Sequence, residues 1–228
     1  MTFSVRGVAG LPEIREGDDL VRLVVTATPL ADGDIVVITS KIISKAEGRF
    51  AAAHDRRDVI EAETVRVVAR RGDLAIVENR LGIVAAAAGV DASNVPEGMV
   101  LLLPIDPDAS ARDLAAGLRE ATGARVGVLV SDTVGRPWRL GQTDIAIGAG
   151  GVKVLRQEDV DADGRSLAVT QPCVADEICG AAELVKPKSG AVPVAVVSGL
   201  GHLVGDLSLP GARNIVRPMS DDLFRSGG

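Results

Sequence analysis

A mixed α+β fold is what this 228-residue sequence predicts, because parallel and antiparallel strand signals occur in one chain. Apolar runs such as Ile35-Val-Val-Ile38 and Val126-Gly-Val-Leu-Val130 lead straight into polar segments, as buried strands do. A strand over 100–104, a helix ending at Thr122 and the 126–130 strand follow in βαβ order, a parallel signal. The pattern 152–155, Asp161-Ala-Asp-Gly164, 166–170 reads as a hairpin, an antiparallel one. Together they favour mixed sheets with flanking helices over a doubly wound sheet.

In chain order, Asp18 stands as N-cap of a helix whose Leu20, Leu23, Val24 and Ala27 share one face. Ala31-Asp-Gly-Asp34 is a turn before the 35–38 strand. A helix is expected over 55–71, stopped by Gly72. Asp108 or Ser110 caps the helix that closes on Gly123. In Asp106-Pro-Asp108 a proline turn and cap is preferred to a further acidic site. A helix over 172–185 and a strand over 193–197 follow.

Composition narrows the function classes. Aromatic residues make up 2% of the chain, with no tyrosine, so stacking platforms for single-stranded nucleic acid are lacking. A net charge of −6 supplies no global basic field for nucleic acid or an anionic membrane. Neither a long apolar span nor a signal-peptide core is evident, which predicts a cytoplasmic protein. Cys173 and Cys179 read as small buried hydrophobes, and His54 and His202 as loop or solvated residues.

Chemistry concentrates in Ser131-Asp-Thr-Val-Gly-Arg-Pro-Trp-Arg-Leu-Gly-Gln-Thr-Asp144, directly after the 126–130 strand. Asp132 and Thr133 offer hard oxygen ligands at a strand end, and Arg136 and Arg139 offer guanidinium forks suited to phosphate. The same residues also fit a polar loop tip with an ordinary ion pair. Ser40, Lys41, Ser44 and Lys45 follow the 35–38 strand, where a helix start would favour an anion. Lys41 and Lys45 share a face, which repels unless an anion lies between them; a solvated face balanced by Glu47 and Arg49 is the alternative. Asp91-Ala-Ser-Asn94 is by itself an Asx turn or cap. Gln142, Asp144 and Ile147-Gly-Ala-Gly-Gly151 either shape a pocket or permit a tight turn.

Four motifs occurring in order, Thr39-Ser-Lys-Ile-Ile-Ser-Lys-Ala-Glu-Gly-Arg49, Val90-Asp-Ala-Ser-Asn94, Leu103-Pro-Ile-Asp-Pro-Asp-Ala-Ser-Ala111 and the Asp132 segment, resemble the coenzyme F420:L-glutamate ligase family. The likeness runs from Gly7 to about Val197 and is greatest to the ligase part of actinobacterial bifunctional enzymes. Their nitroreductase-like second domain has no counterpart in 1–228, which is expected to be a single ligase domain, built as one body or as two lobes. The resemblance implies a family-specific α+β fold in an intertwined homodimer. It implies GTP-dependent amide formation between L-glutamate and a deazaflavin coenzyme precursor, through an acyl phosphate.

On the same footing, Leu11, Pro12, Glu13, Ile14, Ser40, Lys45 and Asn94 would meet the nucleotide, and Asp91, Asp132 and Thr133 would hold Mg²⁺ or Mn²⁺. K⁺ is a further candidate cation. Asp132 and Arg136 are the catalytic candidates, with the Arg136 role inferred from charge and position. The loop Val185-Lys-Pro-Lys-Ser-Gly190 departs from the family, many members of which carry a glutamine near the nucleotide there; Lys188 is the nearest residue. Another metal- and nucleotide-dependent carboxylate–amine ligase or kinase, and a non-catalytic GTP-binding subunit, are the rival readings.

Overall fold

The computed structural model describes residues 2–158, 160–167 and 170–222. Among them, five strands form the main sheet in the order β1 (Ser4–Val8), β10 (Val194–Ser198), β2 (Ile35–Thr39), β8 (Gly127–Arg136), β9 (Arg139–Gly150). Only β2 and β8 run parallel among these neighbours; the others are antiparallel. β2, β10 and the first half of β8 are buried on both faces, which is why they read as continuous apolar runs. One face carries α1 (Leu20–Ala27), α2 (Ser40–Ala46) and α4 (Pro107–Thr122), packed on Val36, Ile38, Val128 and Val130. The other carries α5 (Val174–Glu183), packed on Ile35, Val37, Leu129, Ala195 and Val197.

A smaller cluster of Val77, Ala88, Val90 and Val100 lies apart from these two. It joins an antiparallel pair, β3 (Phe50–Ala52) with β7 (Met99–Leu101), to a sheet of β4 (Thr64–Arg71), β5 (Leu74–Asn79) and β6 (Val84–Ala86). α3 (Arg56–Ala62) adds Val59 and Ile60 to it.

Several expectations need correction. The helix over 55–71 is instead short α3, capped by Asp55, followed by β4. Thr64, Val65, Val67 and Val68 are β-branched and stiff, and Gly72 (φ 60°) makes the β4–β5 hairpin turn rather than a helix stop. The βαβ reading fails because β7 pairs with β3, while β8 takes β2 as its parallel neighbour. The hairpin around the Asp161 turn is present with a later first arm: Val152 bridges Val204 instead, while Arg156 and Glu158 donate to the Pro172 and Thr170 carbonyls and Val160 bridges Ser166; Ala168 and Val169 lie outside the described residues.

At α1 the cap is Asp19, because Asp18 is turned back onto the Arg15 N–H. At α4 the cap is Asp106 with Pro107 at the first helical position, not Asp108 or Ser110. Asp108 accepts instead from the N–H groups of Ala149, Ala212 and Arg213. Within the glycine run, a Cβ on Gly148 would stand 2.2 Å from the Pro107 carbonyl oxygen, and one on Gly150 2.4 Å from that of Ala111. Those glycines let α4 lie directly on β9. Cys179 is buried and Cys173 partly so; burial pushes the Cys173 thiol up to about 12, so neither is a ready nucleophile.

Candidate active site

The parallel register of β2 and β8 ends at Thr39 opposite Ser131. One residue further, β2 turns into α2 at Ser40, while β8 continues to Arg136. Asp132 therefore stands within a ten-residue strand, not at its end, but at the carboxyl edge of the parallel pair. The Ser40 hydroxyl donates to Asp132 Oδ1 at 2.9 Å. Burial drives the Asp132 carboxyl up to about 6, offset in part by Ser40 and the Thr133 N–H and reinforced by the charges of Asp144 and Asp91.

Asp91 reaches this edge from another chain segment. It is held beside Leu101 by an antiparallel bridge, and its Oδ1 accepts from the Ser93 N–H at 2.6 Å, an Asx turn. Asn94 completes that turn with φ 55° and is exposed. Lys41 Nζ lies 2.7 Å from Asp91 Oδ2 and donates to the Ser93 hydroxyl at 2.7 Å. Burial would raise the Asp91 carboxyl, but Lys41 and Ser93 together hold it below the usual carboxylate range.

The two α2 lysines are thus matched separately. Lys45 is only 5% exposed and pairs with Glu13 of the 11–14 loop, in which Ile14 is buried. A solvated lysine face with Glu47 and Arg49 as counter-charges does not occur: Glu47 accepts from the Ile105 N–H and the Ser110 hydroxyl, and Arg49 donates to the Leu103 carbonyl. Leu11 and Pro12 line a shallow cleft against α1.

Side chains alternate along a strand, and β8 obeys this at the site. Asp132 meets Ser40 on the face of α2, whereas Ser131 and Thr133 turn to the face of α5. There the Thr133 hydroxyl donates to Asp144 Oδ1 at 2.6 Å and the Ser131 hydroxyl to Asp144 Oδ2 at 2.9 Å. Lys186, 7% exposed, donates to Ser131 at 2.8 Å and to Asp144 at 3.0 Å, and Lys188 donates to Thr133. Burial would raise Asp144, yet Thr133, Lys186 and Ser131 hold it below the usual range. The expected grouping of Thr133 with Asp132 is therefore not present in side-chain terms; its hydroxyl is committed across the strand.

Arg136 is not gathered into the site either. It is exposed near the β8–β9 hairpin tip and donates to the Leu140 carbonyl at 2.7 Å, beside Trp138 (86% exposed) and Leu140 (97%). Among the described residues no cluster of three or more His, Cys, Asp or Glu is spaced to hold a metal ion. The hard-oxygen set at this edge comprises two carboxylates, Asp91 and Asp132, with the Ser40 hydroxyl. His54 and His202 are exposed. No described helix is long and apolar enough to cross a membrane.

Sequence reasoning missed Lys186, and it named Lys41 and Ser131 without their partners, Asp91 and Asp144. The register of the 131–144 hairpin, once known, places Asp144 opposite Thr133. Nothing in a Lys-Pro-Lys loop marks one lysine as buried.

The sequence model of F420-0:gamma-glutamyl ligases matches residues 9–66 and 55–199. A coenzyme F420:L-glutamate ligase of Methanothermobacter thermautotrophicus is 36% identical over 254 aligned positions, covering 99% of this chain and 100% of the relative. Those of Archaeoglobus fulgidus and Methanopyrus kandleri are each 39% identical, covering 99% and 93% of this chain and 97% and 94% of theirs. With the Ser40–Asp132 and Lys41–Asp91 contacts on one sheet edge and matches spanning nearly the whole chain, the protein belongs to the F420-0:gamma-glutamyl ligase family.

Proposed function

We infer that this protein joins L-glutamate in γ-linkage to a deazaflavin coenzyme precursor, using GTP. Ligase chemistry on glutamate comes from the family. The observation carrying it to particular residues is that Asp91 and Asp132, from distant segments, are each held by the start of α2, through Lys41 and Ser40, close enough for the charge of Asp91 to act on Asp132. In the proposed reaction the terminal carboxylate of the precursor attacks the γ-phosphorus of GTP and GDP leaves. The glutamate amine then attacks the acyl phosphate, losing a proton, and inorganic phosphate leaves with the amide formed.

Oxygen donors of this type suit Mg²⁺ or Mn²⁺ better than softer metals, so Asp91 and Asp132 are the residues to hold one. Such a cation supplies charge neutralisation for phosphoryl transfer when bound. The chain's own part is positioning. Ser40 orients Asp132, and Lys41 orients Asp91. Lys45, held by Glu13, sets a positive charge behind the 11–14 loop, which is the proposed nucleotide contact together with Asn94. Arg136 would act on this site only from a hairpin tip, which in the proposed homodimer need not face its own subunit.

The test is incubation with GTP, Mn²⁺, L-glutamate and glutamate-free precursor, followed by mass spectrometry and GDP quantitation. One glutamate added per GDP released is expected, abolished by chelation. GDP release without adduct, or adduct formation undiminished in chelator, overturns the reading.

A further inference from the structure

At Asp132, β8 is paired on one side only, with Ile145 of β9. On one side β2 has already left the sheet at Thr39, and on the other the β8–β9 register slips between Val130 and Ser131, so Val130 faces Gly148 but Ser131 faces Ala146. A bulge of this kind bends a strand and loosens its pairing. Beyond the β9 pairing, which resumes at Ser131–Ala146, side chains on the opposite face hold β8 here. Ser131 and Thr133, the two neighbours of Asp132, both donate to Asp144, and Lys186 closes the set through Ser131 and Asp144. Asp144 is fixed in turn by its own N–H, which donates to Glu183 Oε2 at 2.9 Å at the end of α5.

We propose that the buried Lys186–Asp144 pair is a positioning device of the ligase site, pinning Ser131 and Thr133 from behind so that the Asp132 carboxylate is presented at a fixed place. This rests on the glutamate-ligase reading of the same site. Charge-assisted hydrogen bonds are shorter and stronger than neutral ones, which suits them to holding a short backbone segment. A buried ion pair is weak evidence for stability, since a neutral pair of similar shape often folds as well. The bland alternative is that the pair merely fastens the loop after α5 to the sheet. The two differ in what is lost when the charges go: a fastener moves stability and substrate affinity, whereas a positioning pair moves turnover.

The experiment replaces both charges while keeping shape, Lys186→Met together with Asp144→Asn, so that no buried charge is orphaned and both hydroxyls keep a partner. Ser131→Ala, which removes one strap alone, is the second variant should the first not fold. Thermal melts and steady-state kinetics with GTP, Mn²⁺, glutamate and the precursor are compared with wild type. We expect the double variant to melt within about 5 °C of wild type. Its KM for GTP and glutamate should stay within about twofold, with kcat lowered ~10- to 100-fold, as for ångström-scale misplacement of a reacting group. Ser131→Ala should show a smaller loss, again in kcat. Folded variants turning over at the wild-type kcat overturn the inference while leaving the ligase reading intact. Losses confined to KM, or matched by loss of fold, return the pair to a fastener. Wild-type protein that forms no glutamate adduct overturns the ligase reading, and this inference with it.

Discussion

At Asp132 the demands of folding and of chemistry oppose one another. Its folded carboxyl titrates at about 6 against an ordinary value of 3.8, chiefly because of burial. Between those pH values the folded state keeps a proton that the unfolded chain has lost, so stability falls as pH rises through the window. At ~1.4 kcal/mol per pKa unit the cost is about 3 kcal/mol above pH 6. Metal-free protein should therefore resist urea better at pH 5 than at pH 8. Asp132→Asn should flatten that profile and raise stability at pH 8 while abolishing turnover. Equal urea midpoints for wild type at the two pH values would count against the burial that this rests on.

Asp108 gives a contrasting case. Read as a helix cap, it would tolerate asparagine, which caps equally well. Its oxygens instead receive three backbone N–H groups, from Ala149, Ala212 and Arg213. An amide turned to these donors leaves one facing another, at about 1–3 kcal/mol. Asp108→Asn should lower the melting temperature measurably, with kcat preserved in the fraction that stays folded. Unchanged stability would show that the three bonds are dispensable.

Among the elements, β2, β8, β10, α4 and α5 were legible, because uninterrupted apolar runs, the Pro107 start and the Gly123 stop leave few alternatives. β4 was not. Asp55 does cap a helix, and only the crowding of β-branched residues after Ala62 ends it early. Pairing was less legible still, since periodicity shows that a strand is buried but not which neighbour buries it; β7 beside β3 and β2 beside β8 are facts of tertiary contact. The same limit applied to the site. Asp91 was singled out only by the family resemblance and Asp132 fitted a polar loop tip equally well, whereas the separation of Thr133 from Asp132 needed the strand direction, and Lys186 needed the burial. The α4–β9 contact is the most demanding element pairing. Gly148→Ala puts a methyl group into backbone rather than a yielding side chain, so a loss of at least ~1–3 kcal/mol is expected by urea unfolding. A change below a few tenths would mean that α4 can slide.

On the scale of the whole molecule, the hairpin of β8 and β9 ends in Trp138 and Leu140, both almost fully exposed, and β4 adds exposed Val65, Val67 and Val68. Apolar surface of this kind is commonly an association surface. Family resemblance points to a homodimer, and light scattering at micromolar concentration should give twice the 23.5 kDa chain mass. A monomer under those conditions would oppose that expectation.

The position of Trp138 has a spectroscopic corollary. It is the sole tryptophan, and the chain has no tyrosine, so ultraviolet emission comes almost entirely from one point on the hairpin tip. An indole already bathed in water changes colour little when the chain unfolds, so fluorescence melts would understate or miss the transition that circular dichroism follows. The same indole would shift to the blue if the tip became covered by a second copy. Emission wavelength on dilution thus reads association almost free of folding, a separation that most proteins, with tryptophans in their cores, do not offer.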